Sequence, residues 1–257
     1  MKPLAGVRAL LVDLEGTVYE SGRLVPGAAE ALRALDARNI AYCFVTNTTS
    51  RPRSTIVREL AEMGLPVDPS RVFTAPLAAR EYLLSRGLRR CHFLLRATLL
   101  EDFEGIEPVE ESPDAVVIGD LGDAMSYSRL NRAFRFLLEG GELVTLARNR
   151  YWRAEEGLML DVGAFAAALE FASGRKATLV GKPASVFYDA ALASLGAAPL
   201  EAAVIGDDLE SDVGGGQAAG MRGILVRTGK HRPEELEGSA IRPDAILDSI
   251  SDLARLL

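Results

Sequence analysis

Four short stretches of this 257-residue chain end an apolar run in side chains able to act on a charged ligand. The first is Leu10-Leu11-Val12-Asp13-Leu14-Glu15-Gly16-Thr17, where a run suited to a buried strand stops at two acids and a glycine. A carboxylate at the C-terminal end of a parallel strand stands in the crevice where open α/β sheets bind ligands, which makes Asp13 a candidate nucleophile, and Gly16 lets the chain turn there. Taken alone, the octapeptide reads equally as an ordinary Asp/Gly turn. Next, Ile40 to Val45 halts at Thr46-Asn47-Thr48-Thr49-Ser50. These residues form either an N-cap box before a helix begun by Pro52, or a set of hydroxyl, amide and backbone N–H donors for a phosphate. Third, Ala177 to Val180 runs into Gly181-Lys182-Pro183, where the lysine is either a solvated turn residue or a positive charge for an anion. Last, Ala202 to Ile205 leads into Gly206-Asp207-Asp208-Leu209-Glu210-Ser211-Asp212. An acidic N-cap explains one of these aspartates and explains three poorly, whereas Asp207 and Asp208 with Asp13 offer the oxygens that a hard cation such as Mg²⁺ prefers.

The elements between these stretches position them. Pro26 is expected to start a helix through about Arg38, with Ala28, Ala31, Leu32 and Leu35 at helical spacing, after a polar connection from Val18 to Val25. A helix from Pro52 ends at Gly64, and a strand near Val72 to Thr74 precedes a helix from Pro76 to about Arg86. The pattern then changes: strands at Cys91 to Leu95, Ala115 to Ile118 and Leu143 to Leu146 alternate with helices at Thr98 to Phe103, Tyr127 to Leu138 and Ala164 to Ala172. This reads as a second α/β layer, bounded near residues 76 and 177. Ile224 to Val226 and Ala245 to Leu247 are expected strands, and the tail from Ser249 a closing helix.

Composition narrows the partners. A 48% hydrophobic content fits one large or two modest globular domains, and a net charge of −7 with no clustered Lys and Arg argues against a nucleic-acid surface. Cys43 and Cys91 lie in separate apolar runs, as buried thiols in a reducing compartment would. No run approaches the ~20 apolar residues of a membrane span, and the opening segment is too short for a signal peptide, so a cytoplasmic protein without membrane contact is expected.

In order, Asp13-Leu14-Glu15-Gly16-Thr17, Val45-Thr46-Asn47, Gly181-Lys182-Pro183 and Gly206-Asp207-Asp208 with Asp212 resemble the four motifs of the haloacid dehalogenase (HAD) superfamily. The long insertion between the second and third resembles the C2-type cap of subfamily IIA. Phe44-Val45-Thr46-Asn47-Thr48-Thr49 and the run through Asp212-Val213-Gly214-Gly215 are similar to the haloacid dehalogenase-like hydrolase domain-containing proteins and the phospholysine/phosphohistidine/inorganic-pyrophosphate phosphatase branch. The resemblance implies a Rossmann-like α/β core with a mainly parallel sheet, here residues 1–75 and 178–257, and an inserted α/β cap, 76–177.

It also implies a Mg²⁺-dependent phosphatase acting on a small phosphorylated metabolite, and a homodimer formed through the cap. In that scheme Asp13 attacks phosphorus to give an aspartyl-phosphate. Asp13, the Glu15 backbone carbonyl and Asp207 hold Mg²⁺, with Asp208 touching it directly or through water. Thr46 and Asn47 donate to the phosphoryl oxygens, Lys182 neutralises them, and Asp212 orients Lys182. Positioning and charge neutralisation are what phosphoryl transfer chiefly requires. Loops around Asn149 to Gly163 are implied to face the phosphate, with Asn149, Tyr151, Trp152 and Arg153 as specificity residues; Trp152 reads equally as a hinge or core side chain. One position departs from the family: Glu15 stands where its phosphatases usually carry the aspartate that protonates the leaving group. The added methylene matters where placement counts at roughly 1 Å. Pyrophosphate or a phosphoamino acid is the alternative substrate, and a catalytically impaired binding or regulatory protein the alternative class.

Overall fold

The computed structural model describes residues 4–154 and 157–256, with only the backbone described for Arg153 and Ala154. In chain order, β1 (Ala9–Asp13) is followed by the short pair β2 (Tyr19–Glu20) and β3 (Arg23–Leu24), then α1 (Ala28–Ala37), β4 (Ala41–Thr46), α2 (Arg53–Glu62) and β5 (Val72–Thr74). Next come α3 (Ala75–Ser85), β6 (Arg90–Leu94), β7 (Glu107–Pro108), β8 (Ala115–Ile118), α4 (Tyr127–Leu138), β9 (Glu142–Thr145), β10 (Tyr151–Ala154), β11 (Gly157–Leu160), α5 (Val162–Ser173) and β12 (Thr178–Leu179). The chain finishes with α6 (Ser185–Leu195), β13 (Ala202–Gly206), α7 (Gly215–Ala218), β14 (Arg222–Val226), α8 (Pro233–Gly238) and β15 (Ala245–Leu247).

The chain divides into two units. The first comprises Met1–Thr46, Arg53–Phe73 and Lys182–Leu257, around a parallel six-stranded sheet of order β15-β14-β13-β1-β4-β5. Every residue of β1 and β13 is buried, as expected of central strands covered on both faces. Leu10, Val12, Phe44, Ile205 and Ile224 pack in one core with Ala31, Leu32 and Leu35 of α1. Replacing a fully buried leucine such as Leu10 by alanine costs about 2–5 kcal/mol.

The second unit, Asn47–Pro52 with Thr74–Gly181, has its own parallel sheet of order β12-β9-β8-β6-β7. Its core joins Val116 and Ile118 to Ala133, Phe136 and Leu137 of α4 and to Ala166 and Leu169 of α5. Ser126 caps α4 through Arg129 N–H, and the left-handed Gly174 ends α5. The ribbon β10–β11 forms a separate antiparallel pair.

Three local expectations are corrected. The α1 helix begins at Ala28 rather than Pro26, because Gly27 at φ +82° cannot be helical. The Val18 to Val25 connection contains the β2–β3 hairpin, whose two turn residues, Ser21 and Gly22, both have positive φ and so match the right-handed twist of paired strands. Residues 250–255 close the chain as a 3₁₀ segment, capped by Ser249, in place of an α-helix.

Candidate active site

Parallel register brings three motifs to one end of the first sheet. Asp13 stands opposite Val45 of β4, so Thr46 follows at the next position, and Val12 stands opposite Ile205 of β13, so Asp207 emerges beside Asp13. A one-residue slip would exchange the Leu10–Val12 side chains between the two covered faces of the sheet and shift Asp13 along β4 and β13. Lys182 joins them: its Nζ lies 2.6 Å from Asp13 Oδ1 and 2.6 Å from Asp212 Oδ1. Asp13, Lys182, Asp207 and Asp212 are all more than nine-tenths buried.

Burial works against the Lys182 ammonium, yet Asp13 and Asp212 outweigh it and hold the amine protonated well above its ordinary range. Burial pushes the carboxyls upward, Asp207 to about 6 and Asp212 to about 7, with Asp13 raised in the same direction against the pull of Lys182. Asp13, Asp207 and Asp212 each place a carboxylate oxygen within 4.8 Å of the others. A single ammonium among three buried carboxylates leaves two negative charges unbalanced when all are ionised, and an oxygen-rich pocket of that charge fits a divalent cation.

Glycines let these carboxylates sit where they do. A Cβ on Gly206 would fall 2.1 Å from Asp212 Oδ2. Gly16 and Gly229, at φ +88° and +68°, flank the Asp207 carboxylate, where added Cβ atoms would lie 2.2 and 2.1 Å from Oδ2. The Tyr188 hydroxyl, buried beneath, donates to the Ser211 carbonyl and steadies the 209–214 turn that carries Asp212.

The segment after β14 clasps this site and was not singled out in the sequence. Lys230 N–H donates to Asp207 Oδ2 at 2.6 Å, Thr228 Oγ1 to the Gly16 carbonyl at 2.5 Å, and Gly229 N–H to Glu20 Oε1 at 2.5 Å. Arg227-Thr228-Gly229-Lys230 reads locally as a turn; the available signal was its place directly after a buried strand of the same parallel sheet.

The other expected residues are placed as follows. Thr46 is buried at the end of β4. Asn47 groups with the second unit, where its amide oxygen would be 2.7 Å from a Cβ on Gly181. The Asp208 carboxylate caps the 209–214 turn, accepting from Glu210 and Ser211 N–H, so it is Asp212 that joins Asp13 and Asp207 in the buried cluster. Glu15 is exposed, and its Oε1 accepts from Ser21 N–H of the hairpin at 3.3 Å. Tyr151 and Trp152 are exposed on β10, so Trp152 is not a core residue. The Asn149 carbonyl accepts from Gly163 N–H, and a Cβ on Gly163 would strike the Arg148 and Asn149 carbonyls. The Arg153 side chain lies outside the described residues.

The sequence model of haloacid dehalogenase-like hydrolases matches residues 10–107, and an HAD-hydrolase-like model matches residues 179–253. The phospholysine phosphohistidine inorganic pyrophosphate phosphatase of Danio rerio is 39% identical over 254 residues, covering 96% of this chain and 93% of its own. The chain belongs to the haloacid dehalogenase-like hydrolase family. Haloacid dehalogenase-like hydrolase domain-containing protein 2 of Bos taurus is 42% identical over 226 residues, covering 88% of this chain and 86% of its own. Among solved structures, the 4-nitrophenylphosphatase of Thermotoga maritima superposes with a TM-score of 0.91 at 33% identity, covering 98% of both chains. As an HAD hydrolase of the phosphatase kind, this enzyme has the family's α/β architecture, with a parallel-sheet core and an inserted C2-type unit.

Proposed function

We propose that the enzyme hydrolyses a small phosphorylated metabolite through an aspartyl-phosphate on Asp13, with Mg²⁺ held by Asp13, Asp207 and the Glu15 carbonyl. The observation that carries this reading is the Lys182 ammonium fixed between Asp13 and Asp212 beside Asp207. Asp212 keeps Lys182 charged and aimed, so Asp13 Oδ1 shares the ammonium and its second oxygen remains for attack on phosphorus. The Asp13–phosphorus bond forms as the bond to the leaving oxygen breaks, and Glu15 gives that oxygen a proton. Glu15 then takes a proton from water, which attacks phosphorus and releases phosphate and free Asp13. Thr46, Asn47 and Lys182 hold the phosphoryl oxygens. When bound, Mg²⁺ supplies charge neutralisation for the transferring group. Asp208 supports this arrangement from the turn it caps.

Residues 76–177 are the part we assign to substrate choice and to homodimer formation. What supports the assignment is a sheet and core of their own and an exposed apolar ribbon at β10–β11. Two free, buried cysteines whose thiols burial pushes up to about 12 suit a reducing, cytoplasmic setting.

The test measures hydrolysis of a panel of phosphorylated metabolites with and without Mg²⁺, together with acid-quenched transfer of labelled phosphoryl to protein. Label is expected on the parent and not on Asp13→Asn; equal labelling of both would overturn the assignment of the nucleophile. A second reading rests on Glu15, whose carboxylate is turned to the hairpin. With the proton donor so placed, activated donors such as pyrophosphate or phosphoamino acids, the kind named for the Danio rerio relative, would react and alkyl phosphates would bind without turnover.

A further inference from the structure

The segment that clasps Asp207 ends in a lysine whose ammonium makes no hydrogen bond among the described residues. Three consecutive residues fix where that side chain starts. Thr228 Oγ1 donates to the Gly16 carbonyl, Gly229 N–H to the Glu20 carboxylate, and Lys230 N–H to Asp207 Oδ2 at 2.6 Å. The Lys230 side chain is 72% exposed, and Asp208 Oδ2 stands 3.9 Å from its Nζ, beyond hydrogen-bond reach. Asp208 is already engaged through Oδ1 with the N–H groups of Glu210 and Ser211. An exposed pair of that length holds neither partner in place. The ammonium nevertheless belongs to the active site electrically. Burial raises the Asp13 and Asp207 carboxyls, and Lys230 is among the positive charges that oppose it at both.

Two cations thus stand at this site under different constraints. Lys182 is buried and bonded at 2.6 Å to both Asp13 and Asp212, which commits it to the phosphoryl group at Asp13. In phosphoryl transfer the attacking and leaving oxygens lie roughly in line, so the leaving group departs on the side away from the Asp13 carboxylate. Asp13, Lys182, Asp207 and Asp212 fill the buried side, which leaves the solvent side for that group. There the exposed Lys230 has a flexible four-carbon stem with which to meet it. A neutral leaving group gives the ammonium nothing to bind, whereas one carrying its own phosphate or carboxylate accepts a charge-assisted hydrogen bond.

We propose that Lys230 is a specificity-determining residue, whose ammonium binds an anionic group on the leaving portion of the substrate. The enzyme thereby selects phosphoryl donors that carry a second phosphate or a carboxylate. The proposal rests on the reading of Asp13 as the nucleophile. It also bears on Glu15, whose carboxylate is held by the hairpin: a leaving phosphate paired with Lys230 has less charge for a proton to offset.

Unreactive analogues test this without turnover. Methylenediphosphonate stands for a diphosphate, phosphonoacetate carries a carboxylate in place of the second phosphate, and methylphosphonate has no second anion. In calorimetric titration at fixed free Mg²⁺, Lys230→Met is expected to weaken one of the first two by about ten-fold more than it weakens methylphosphonate. The analogue with the larger loss names the second group. Lys230→Arg, which keeps the charge, should keep the preference. Equal losses for all three, no loss for any, or a preference lost as fully in Lys230→Arg would each overturn the proposal. Phosphoryl labelling separates this from the nucleophile: a parent that takes no label sinks the reading of Asp13, whereas a labelled parent with unchanged analogue affinities in Lys230→Met sinks only the role of Lys230.

Discussion

Asp207 sits under opposing demands, because burial disfavours its charge, while holding the proposed Mg²⁺ would require that charge. With its carboxyl raised to about 6, the folded protein binds a proton that the unfolded chain has released. Stability of the metal-free protein therefore falls as pH climbs from about 4 through about 6. In chelator at pH 7, Asp207→Asn is expected to be more stable than the parent by about 2–3 kcal/mol, and the difference should vanish near pH 4. Added Mg²⁺ should stabilise the parent and leave the variant unmoved. Urea denaturation across that pH range checks both, and equal stabilities at pH 7 without metal would remove the electrostatic account. Glu15 poses the complementary question of proton delivery. Glu15→Gln is expected to slow alkyl phosphates by roughly 10²–10⁴-fold while changing aryl or acyl phosphates far less. Uniform slowing across leaving groups would mean that Glu15 does not act as the acid.

At the scale of elements, the segment from Thr228 to Lys230 and the turn at Gly16 act as two sides of one clasp around Asp207. Gly229→Ala must place a Cβ within 2.1 Å of the Asp207 carboxylate at a φ of +68°, so Mg²⁺ affinity should fall by about ten-fold or more. Thr228→Val removes one donor to the Gly16 carbonyl and should cost about 1 kcal/mol of stability. Calorimetric Mg²⁺ titration and urea denaturation read the two effects apart; unchanged affinity in Gly229→Ala would show that the clasp does not position Asp207. The clasp also marks where sequence reading stops. The strand ends at Asp13, Thr46 and Asp207 were legible because each follows a continuous apolar run, and burial on both faces demands such a run. Thr228 bonds to a carbonyl 212 residues away, a pairing that no local pattern carries. The β2–β3 hairpin was hidden for a different reason: each strand has two residues, too short for alternation to register, although Ser21-Gly22 held the turn signal. Asp212 was legible as an acid near Lys182, but its place inside the carboxylate cluster depends on the 209–214 turn, which Asp208 caps and Tyr188 holds from below.

For the whole molecule, the distribution of exposed apolar side chains bears on assembly. Tyr151, Trp152, Leu158, Met159 and Leu160 all lie on β10–β11, and all are more than a third exposed. Pairing of Trp152 with Met159, and of Tyr151 with Leu160, puts apolar side chains on both faces of the ribbon. An isolated two-stranded ribbon is marginal in water, and one apolar on both faces gains stability when a second surface covers it. A second copy of the chain supplies such a surface by symmetry, and burying about 800 Å² per partner would suffice for a stable dimer. The expected outcome is a dimer in sedimentation velocity at micromolar concentration. Leu160→Glu should give a monomer, because a buried unpaired carboxylate on each side of an isologous contact is penalised twice. Leu160 belongs to the second unit and Asp13, Lys182, Asp207 and Asp212 to the first, so hydrolysis of a small aryl phosphate by the monomeric variant should stay within about three-fold of the parent, a change of less than 1 kcal/mol. A parent that sediments as a monomer would refute the dimer, and a dimeric Leu160→Glu variant would place the contact elsewhere. A monomeric variant with aryl phosphate activity lost in proportion would mean that assembly completes the site, which the self-contained set of buried charges in the first unit argues against.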